Sequence, residues 1–187
     1  MNRLCAILRK LFWFAAIACG VAILALAALP SLRTTVWRAL PWGKTARATT
    51  PFSAKVVDVI DGDTVTVLRE GQRIKVRIWG IDAPERDQAR GAESGESLRE
   101  LAMGRDAIIT PKDVDKHGRL VAVVRVAGVD VGLEQVTRGW AWWFERYARR
   151  AEDLRSAEGC ARAVKRGLWQ DDPLVAPWDF RREKQWR

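Results

Sequence analysis

Downstream of residue 54 the chain alternates short β-branched runs with turn residues, and then its period changes. Lys55–Ile60 is short and β-branched, Asp61-Gly62 is a strong turn signal, and Thr64–Leu68 resumes the strand pattern. After a second turn at Glu70-Gly71, Ile74, Val76 and Ile78 alternate with Lys75, Arg77 and Trp79, as a half-buried strand requires. Leu98, Leu101 and Ala102 share one side of a helix expected from about Glu93 to Met103. Ala107–Thr110 and Leu120–Val126 read as two more strands, separated by a polar turn around Lys116–Gly118. Leu133, Val136 and Trp140 then suit a short helix. Ala151, Leu154, Ala157, Ala161, Val164 and Leu168 recur at three to four residues and predict an amphipathic helix that Gly167 would end. Five short strands followed by helices predict an α+β fold: a closed five-stranded β-barrel of the OB-fold kind with C-terminal helices.

Ahead of this pattern stands a segment of another kind. Leu11–Leu29 is 19 residues without a charge, preceded by Arg3, Arg9 and Lys10. That length spans a bilayer. It reads as an uncleaved transmembrane anchor or as a secretory signal cut after Ala25-Leu26-Ala27, the anchor being preferred; lipidation at Cys19 is a weaker third reading. Ser31–Pro51 is basic and without a clear period. It reads as a juxtamembrane linker, with Trp37 and Trp42 at the headgroup level, or as a plain tether. The expected organisation is a leader and anchor or signal over residues 1–30, a linker over 31–51, one domain over 52–170 and a tail over 171–187. A basic leader before an apolar run has the form of an export signal, so the domain is expected outside the cytoplasm, either membrane-anchored or secreted to the periplasm or medium.

The formal charge of +9 carries less information than its size suggests. Seven of the 32 Lys/Arg and none of the 23 Asp/Glu fall in residues 1–50, so the other 137 residues carry 25 basic against 23 acidic groups, a net of +2. An argument for a polyanionic partner must therefore rest on placed arginines rather than bulk charge. Cys160 is the only cysteine after the apolar segment, which excludes an intradomain disulfide and a C-x-x-C zinc site there; a single histidine, His117, excludes a multi-histidine metal centre.

Chemistry gathers in three short motifs: Asp61-Gly62-Asp63-Thr64, Asp82-Ala83-Pro84-Glu85 and Asp115-Lys116-His117-Gly118-Arg119, with Arg77 between the first two. Singly, each has an ordinary explanation. Asp-Gly-Asp is hairpin-turn chemistry, a glutamate after proline is usually an exposed loop residue, and a lone arginine is usually solvated. Asp63, however, shares strand parity with Val65 and Val67, an odd place for an unpartnered carboxylate. Together the motifs supply carboxylates for a divalent cation, a further carboxylate as base, and two arginines. Phosphodiester hydrolysis uses all three: cationic groups neutralise charge on the phosphoryl oxygens while a base orients the attacking water.

The order and spacing of Val59-Ile60-Asp61-Gly62-Asp63-Thr64-Val65, Arg77, Gly80-Ile81-Asp82-Ala83-Pro84-Glu85 and Asp115-Lys116-His117-Gly118-Arg119 resemble the staphylococcal nuclease (thermonuclease) family. So do Arg138-Gly139-Trp140-Ala141 and Gly167-Leu168-Trp169, and Pro177-Trp178-Asp179-Phe180-Arg181-Arg182 resembles the end of many bacterial members. The resemblance implies a Ca²⁺ site built from the carboxylates of Asp63 and Asp82 and the carbonyl of Ala83, with Asp61 assisting. It implies Glu85 as base or water-positioning group, and Arg77 and Arg119 on the phosphoryl oxygens. Oxygen-only ligands suit such a hard cation, and an arginine fork suits a phosphate. Lys116, His117 and Tyr147 would touch the substrate, DNA or RNA with single strands favoured, and the products would carry 3′-phosphates. The chain would act as a monomer. Three departures stand out: Ala83 where members often have Thr, His117 where the best-known members have Tyr, and Tyr147 alone where two later tyrosines are expected. Trp142, Trp143 and Phe144 nearby would either stack bases or pack the barrel against its helices, packing being preferred. The alternative to a nuclease is a catalytically inactive OB-fold module that binds nucleic acid or protein.

Overall fold

The structure is a computed structural model that describes residues 50–170 and 174–186. The expected anchor or signal segment, Cys19 and most of the linker lie outside the described residues; among those described, no helix is long and apolar enough to cross a membrane.

The barrel forms because two turns demand little and one closure demands much. β1 (Phe52–Val59), β2 (Thr64–Arg69) and β3 (Gln72–Ile78) make an antiparallel meander. Its second turn places Glu70 and Gly71 at φ 50° and 79°, the mirror-image geometry whose twist matches the flanking strands. β5 (Asp106–Val114) pairs with β1 and with β6 (Leu120–Val126). The barrel closes where β3 runs parallel to β6, with Val76, Arg77 and Ile78 facing Leu120, Val121 and Ala122. Closure decides the site: Arg77 lies opposite Val121, and Arg119, two residues earlier, has the same strand parity as Val121. Two arginines 42 positions apart in sequence are thus delivered to one mouth of the barrel.

Inside the barrel, Val56, Val59, Val65, Val67, Val76, Ile78, Ile109 and Val124 are all buried. Leu98 and Ala102 of helix α1 (Gly91–Ala102) and Val136 of helix α2 (Val131–Thr137) cover one end. The short strand β4 (Ile81–Asp82) lies against β8 (Trp142–Trp143), with Asp82 opposite Trp142. β7 (Val129–Asp130) leads into α2, whose first turn is capped by the Asp130 carboxylate accepting from Gly132 and Leu133. Helices α3 (Glu145–Ala148), α4 (Glu152–Ala163) and α5 (Pro177–Gln185) complete the order, with a 3₁₀ turn at Gly167–Gln170 before α5.

Several boundaries differ from the expected ones, each for a local reason. α1 begins at Gly91, two residues early, because Arg90 in a left-handed conformation starts it without a side-chain cap. β5 continues through Pro111 to Val114 by absorbing a register shift between Pro111 and Asp113. The last amphipathic helix stops at Ala163 instead of Gly167: Lys165 turns left-handed at φ 51° and Val164, expected on the apolar face, is exposed. Trp140 lies beyond the end of α2, which stops at Thr137. Gly139 and Gly167 meet each other there: Leu168 N donates to Gly139 O at 2.9 Å, and a Cβ on either glycine would collide with the other segment's backbone.

One buried polar residue locks the Asp61-Gly62-Asp63 turn to the helices. Gln135, fully buried on α2, donates to Gly62 O at 2.9 Å and Ser94 O at 3.1 Å, and accepts from Ser97 Oγ at 2.6 Å. Replacing Gln135 by Leu keeps the volume and strands all three partners. It is expected to cost about 3 kcal/mol in equilibrium denaturation. A loss below about 1 kcal/mol would mean that water or a shift of α2 re-satisfies the turn.

Candidate active site

The barrel mouth opens into a cleft of about 1170 Å³. This exceeds the roughly 300–1,000 Å³ of most small-molecule pockets and leaves room for a stretch of polymer. Its deep end is acidic, formed by Asp61 and Asp63 from the β1–β2 turn, Asp82 at the end of β4 and Glu85 just beyond. Its outer part is mostly basic and aromatic, with Asp113 and Asp115 interspersed: Lys112, Lys116, His117 and Arg119 from the β5–β6 hairpin, Trp79 after β3, Phe144, Arg146 and Tyr147 around α3, and Trp178 and Arg182 from α5, from which Arg181 reaches inward.

At the bottom, Arg77 ties together a carboxylate of the β1–β2 turn and one of β4. Its Nη2 lies 3.0 Å from Asp63 Oδ2 and 2.8 Å from Asp82 Oδ1, and its Nη1 donates to Ile78 O at 3.1 Å. Asp82 is 0% exposed and Asp63 is 5% exposed, so neither carboxylate can rely on water for its charge. Asp63 is held further by Thr64 Oγ1, which donates to its Oδ1 at 2.8 Å, and by Ala83 N, which donates to its Oδ2 at 2.8 Å. The inward parity read for Asp63 is therefore real, and its partners are Arg77, Thr64 and Ala83.

Burial pushes the Asp82 carboxyl above its ordinary range, against the pull of Arg181 and Arg77. Asp61, whose Oδ1 accepts from Asp63 N at 3.1 Å, is raised to about 7 by burial and by the neighbouring Asp63 charge.

Among the described residues no three His, Cys, Asp or Glu side chains gather as an ion cage. What the floor offers is an oxygen pair, Asp63 Oδ2 and Asp82 Oδ1, close enough to be bridged by one Arg77 nitrogen. A hard cation fits that donor chemistry if backbone oxygen and water complete its shell.

Arg119 reaches the same cleft from the hairpin. Asp115 builds that turn by accepting from His117 N and Arg119 N, both at 2.9 Å, and from Arg119 Nε at 2.6 Å. This leaves the guanidinium's terminal nitrogens without a hydrogen bond to Asp115. Lys116, His117 and Tyr147 all line the outer cleft, and Tyr147 is largely exposed. The neighbouring aromatics divide. Trp142 is buried edge-on against Trp169 and Trp178, which is packing, whereas Phe144 stacks on Trp178 with ring centroids 5.7 Å apart at the cleft wall.

Two functional features escape sequence reasoning. Gln135, which fixes the Asp61-Gly62-Asp63 turn, sits beside the apolar positions Leu133 and Val136 and looks like a surface amide. Arg181 sits in a polar tail, yet its Nη1 lies 2.7 Å from Glu85 Oε1 and its Nη2 2.7 Å from Asp82 Oδ2. The only advance signal for Arg181 is the tail motif itself.

Comparison with known proteins agrees with this geometry. Residues 75–171 match the sequence profile described as "Staphylococcal nuclease homologue". The chain is 35% identical over 139 residues to "Protein ParB" of Escherichia coli, covering 69% of this chain and 78% of that protein. It is 36% identical over 134 residues to an "Uncharacterized endonuclease" of Haemophilus influenzae, covering 71% and 75%. It is 33% identical over 141 residues to "Micrococcal nuclease" of Shigella flexneri, covering 70% and 81%. A profile match over more than half the chain, spanning Arg77, Asp82, Glu85 and Arg119 of this cleft, establishes that the chain belongs to the staphylococcal nuclease family.

Proposed function

We propose that the protein is a Ca²⁺-dependent nuclease that hydrolyses phosphodiester bonds of DNA or RNA, single strands more readily, and leaves 3′-phosphate ends. The observation that carries the reading is the pair of buried carboxylates, Asp63 and Asp82, held together beneath a basic rim. A phosphodiester is repelled by that floor, where four carboxylates meet two guanidiniums, unless a dication lies between them. Asp63, Asp82 and the carbonyl of Ala83 would hold Ca²⁺, which when bound supplies Lewis-acid stabilisation of the phosphoryl oxygens. Nuclease names among the relatives add weight.

Within this reading, Arg77 and Arg119 bind the non-bridging oxygens, their planar forks matching a phosphate's edge. Glu85 accepts a proton from the water attacking phosphorus. Lys116, His117 and Tyr147 guide the flanking chain, with Phe144 and Tyr147 offering faces to bases. A barrel that binds without cutting could use Asp63 and Asp82 to hold its strands through Arg77, but it would not need Glu85 in the same cleft, which favours the enzyme. The same proposal keeps residues 1–30 as anchor or signal and 31–51 as linker, with the domain outside the cytoplasm, where Ca²⁺ is abundant.

Glu85→Gln preserves shape and removes the proton acceptor. It is expected to lower kcat at least about 10²-fold while leaving KM for oligonucleotide within a few-fold. Near-normal turnover would remove Glu85 from the chemistry. Arg77→Lys and Arg119→Lys keep charge and lose the fork. Each is expected to lower kcat on the order of 10²-fold in steady-state assays. Wild-type rates in both would place phosphate binding elsewhere.

A further inference from the structure

The C-terminal helix is seated on the cleft by contacts on three sides. Pro177 is buried, Trp178 stacks on Phe144, Gln88 Nε2 donates to Val175 O at 2.7 Å, and Lys184 Nζ lies 2.5 Å from Asp87 Oδ2. Gln88 Oε1 also accepts from Glu85 N at 3.2 Å, so the loop carrying Glu85 and the tail share one side chain. From this platform Arg181 extends into the deep end.

Its guanidinium takes both oxygens of Asp82, with Nη1 at 3.2 Å from Oδ1 and Nη2 at 2.7 Å from Oδ2, and its Nη1 also reaches Glu85 Oε1 at 2.7 Å. Arg77 already holds Asp82 Oδ1. Both oxygens of the fully buried Asp82 therefore accept from guanidinium, and Glu85 spends one oxygen on the same cation. A dication cannot take either Asp82 oxygen on the side that Arg181 holds, Oδ1 through Nη1 and Oδ2 through Nη2, without displacing that guanidinium.

We infer that Arg181 is an internal rival of the divalent cation: the C-terminal helix holds Asp82 and Glu85 with a guanidinium, and metal binding must release them. The inference rests on the metal-dependent reading above and assigns the tail to that site. Exchanging one charge for two at the fully buried Asp82 favours the metal. The cost of undocking Arg181 is subtracted from its affinity, so Arg181 sets how much metal the site needs. Freed of Asp82, the guanidinium remains on a helix at the cleft rim.

The test measures Ca²⁺ binding to the full-length chain by isothermal titration, without substrate, for wild type, Arg181→Gln and Arg182→Gln. The two variants have equal net charge, and Arg182 lines the same cleft but pairs with Asp179 at 2.8 Å instead of with the floor. Arg181→Gln is expected to bind Ca²⁺ at least about fivefold more tightly than wild type, with Arg182→Gln within about twofold. Hydrogen exchange of the peptide covering residues 177–185 is expected to quicken in wild type when Ca²⁺ replaces EDTA. Equal or weaker binding by Arg181→Gln, or the same gain from both variants, overturns the inference. Wild-type nuclease activity, assayed separately, distinguishes the two failures. An active enzyme whose Ca²⁺ affinity ignores Arg181 overturns the rivalry alone, whereas no Ca²⁺ binding in any variant and no activity overturn both.

Discussion

Two carboxylates buried at the barrel mouth cannot stand without a cation, and Arg77 is the one that the barrel itself provides. Removing one partner of a buried pair typically costs about 3–5 kcal/mol. Asp63 and Asp82 are therefore part of why β3, β4 and the β1–β2 turn sit as they do, and not only groups poised for chemistry. The parallel closure of β3 on β6 sets where Arg77 emerges, and the same closure brings Arg119 to that face. One constraint thus links the topology, the acidic floor and the basic rim. Burial raises the Asp61 and Asp82 carboxyls toward their protonated forms, so a cation entering the site would favour their charged forms.

Much of this was legible in the sequence because it is written locally. Turn residues at Asp61-Gly62 and Glu70-Gly71, alternation in β3 and β6, and the order of the acidic and basic motifs each depend on a few neighbouring residues. The features that escaped are long-range or break a local rule. Gln135 is polar in a helix whose neighbours Leu133 and Val136 mark the apolar side, and only the packed structure shows it satisfying Gly62 and Ser94. β5 runs through Pro111 because a register shift absorbs it. α1 starts at a left-handed arginine, which no capping pattern announces. The contact of Arg181 with Asp82 spans 99 positions, and no periodicity in a short polar tail encodes it.

The aromatics show how packing and function share a surface. Trp142 is committed to the seam between barrel and helices, with Trp169 and Trp178 edge-on against it. Phe144 and Trp178, stacked at the cleft wall, instead join the domain to the tail, and Tyr147 projects beyond them, exposed. The wall that would meet nucleic-acid bases is therefore the wall that seats α5. The tail's arginine lies on Asp82 and Glu85, the residues proposed for metal binding and chemistry, beside the wall proposed to meet substrate.

Whether the acidic floor becomes catalytic when a hard dication fills it decides between a nuclease and a binding module. The most direct measurement is phosphodiester cleavage by the purified chain, on single-stranded and duplex DNA, across a Ca²⁺ titration and in EDTA. With two carboxylates and few other charged ligands, half-maximal activity is expected at about 10⁻⁴–10⁻³ M Ca²⁺, with 3′-phosphate ends and no cleavage in EDTA. Cleavage undiminished by EDTA, or saturating at micromolar Ca²⁺, would contradict it.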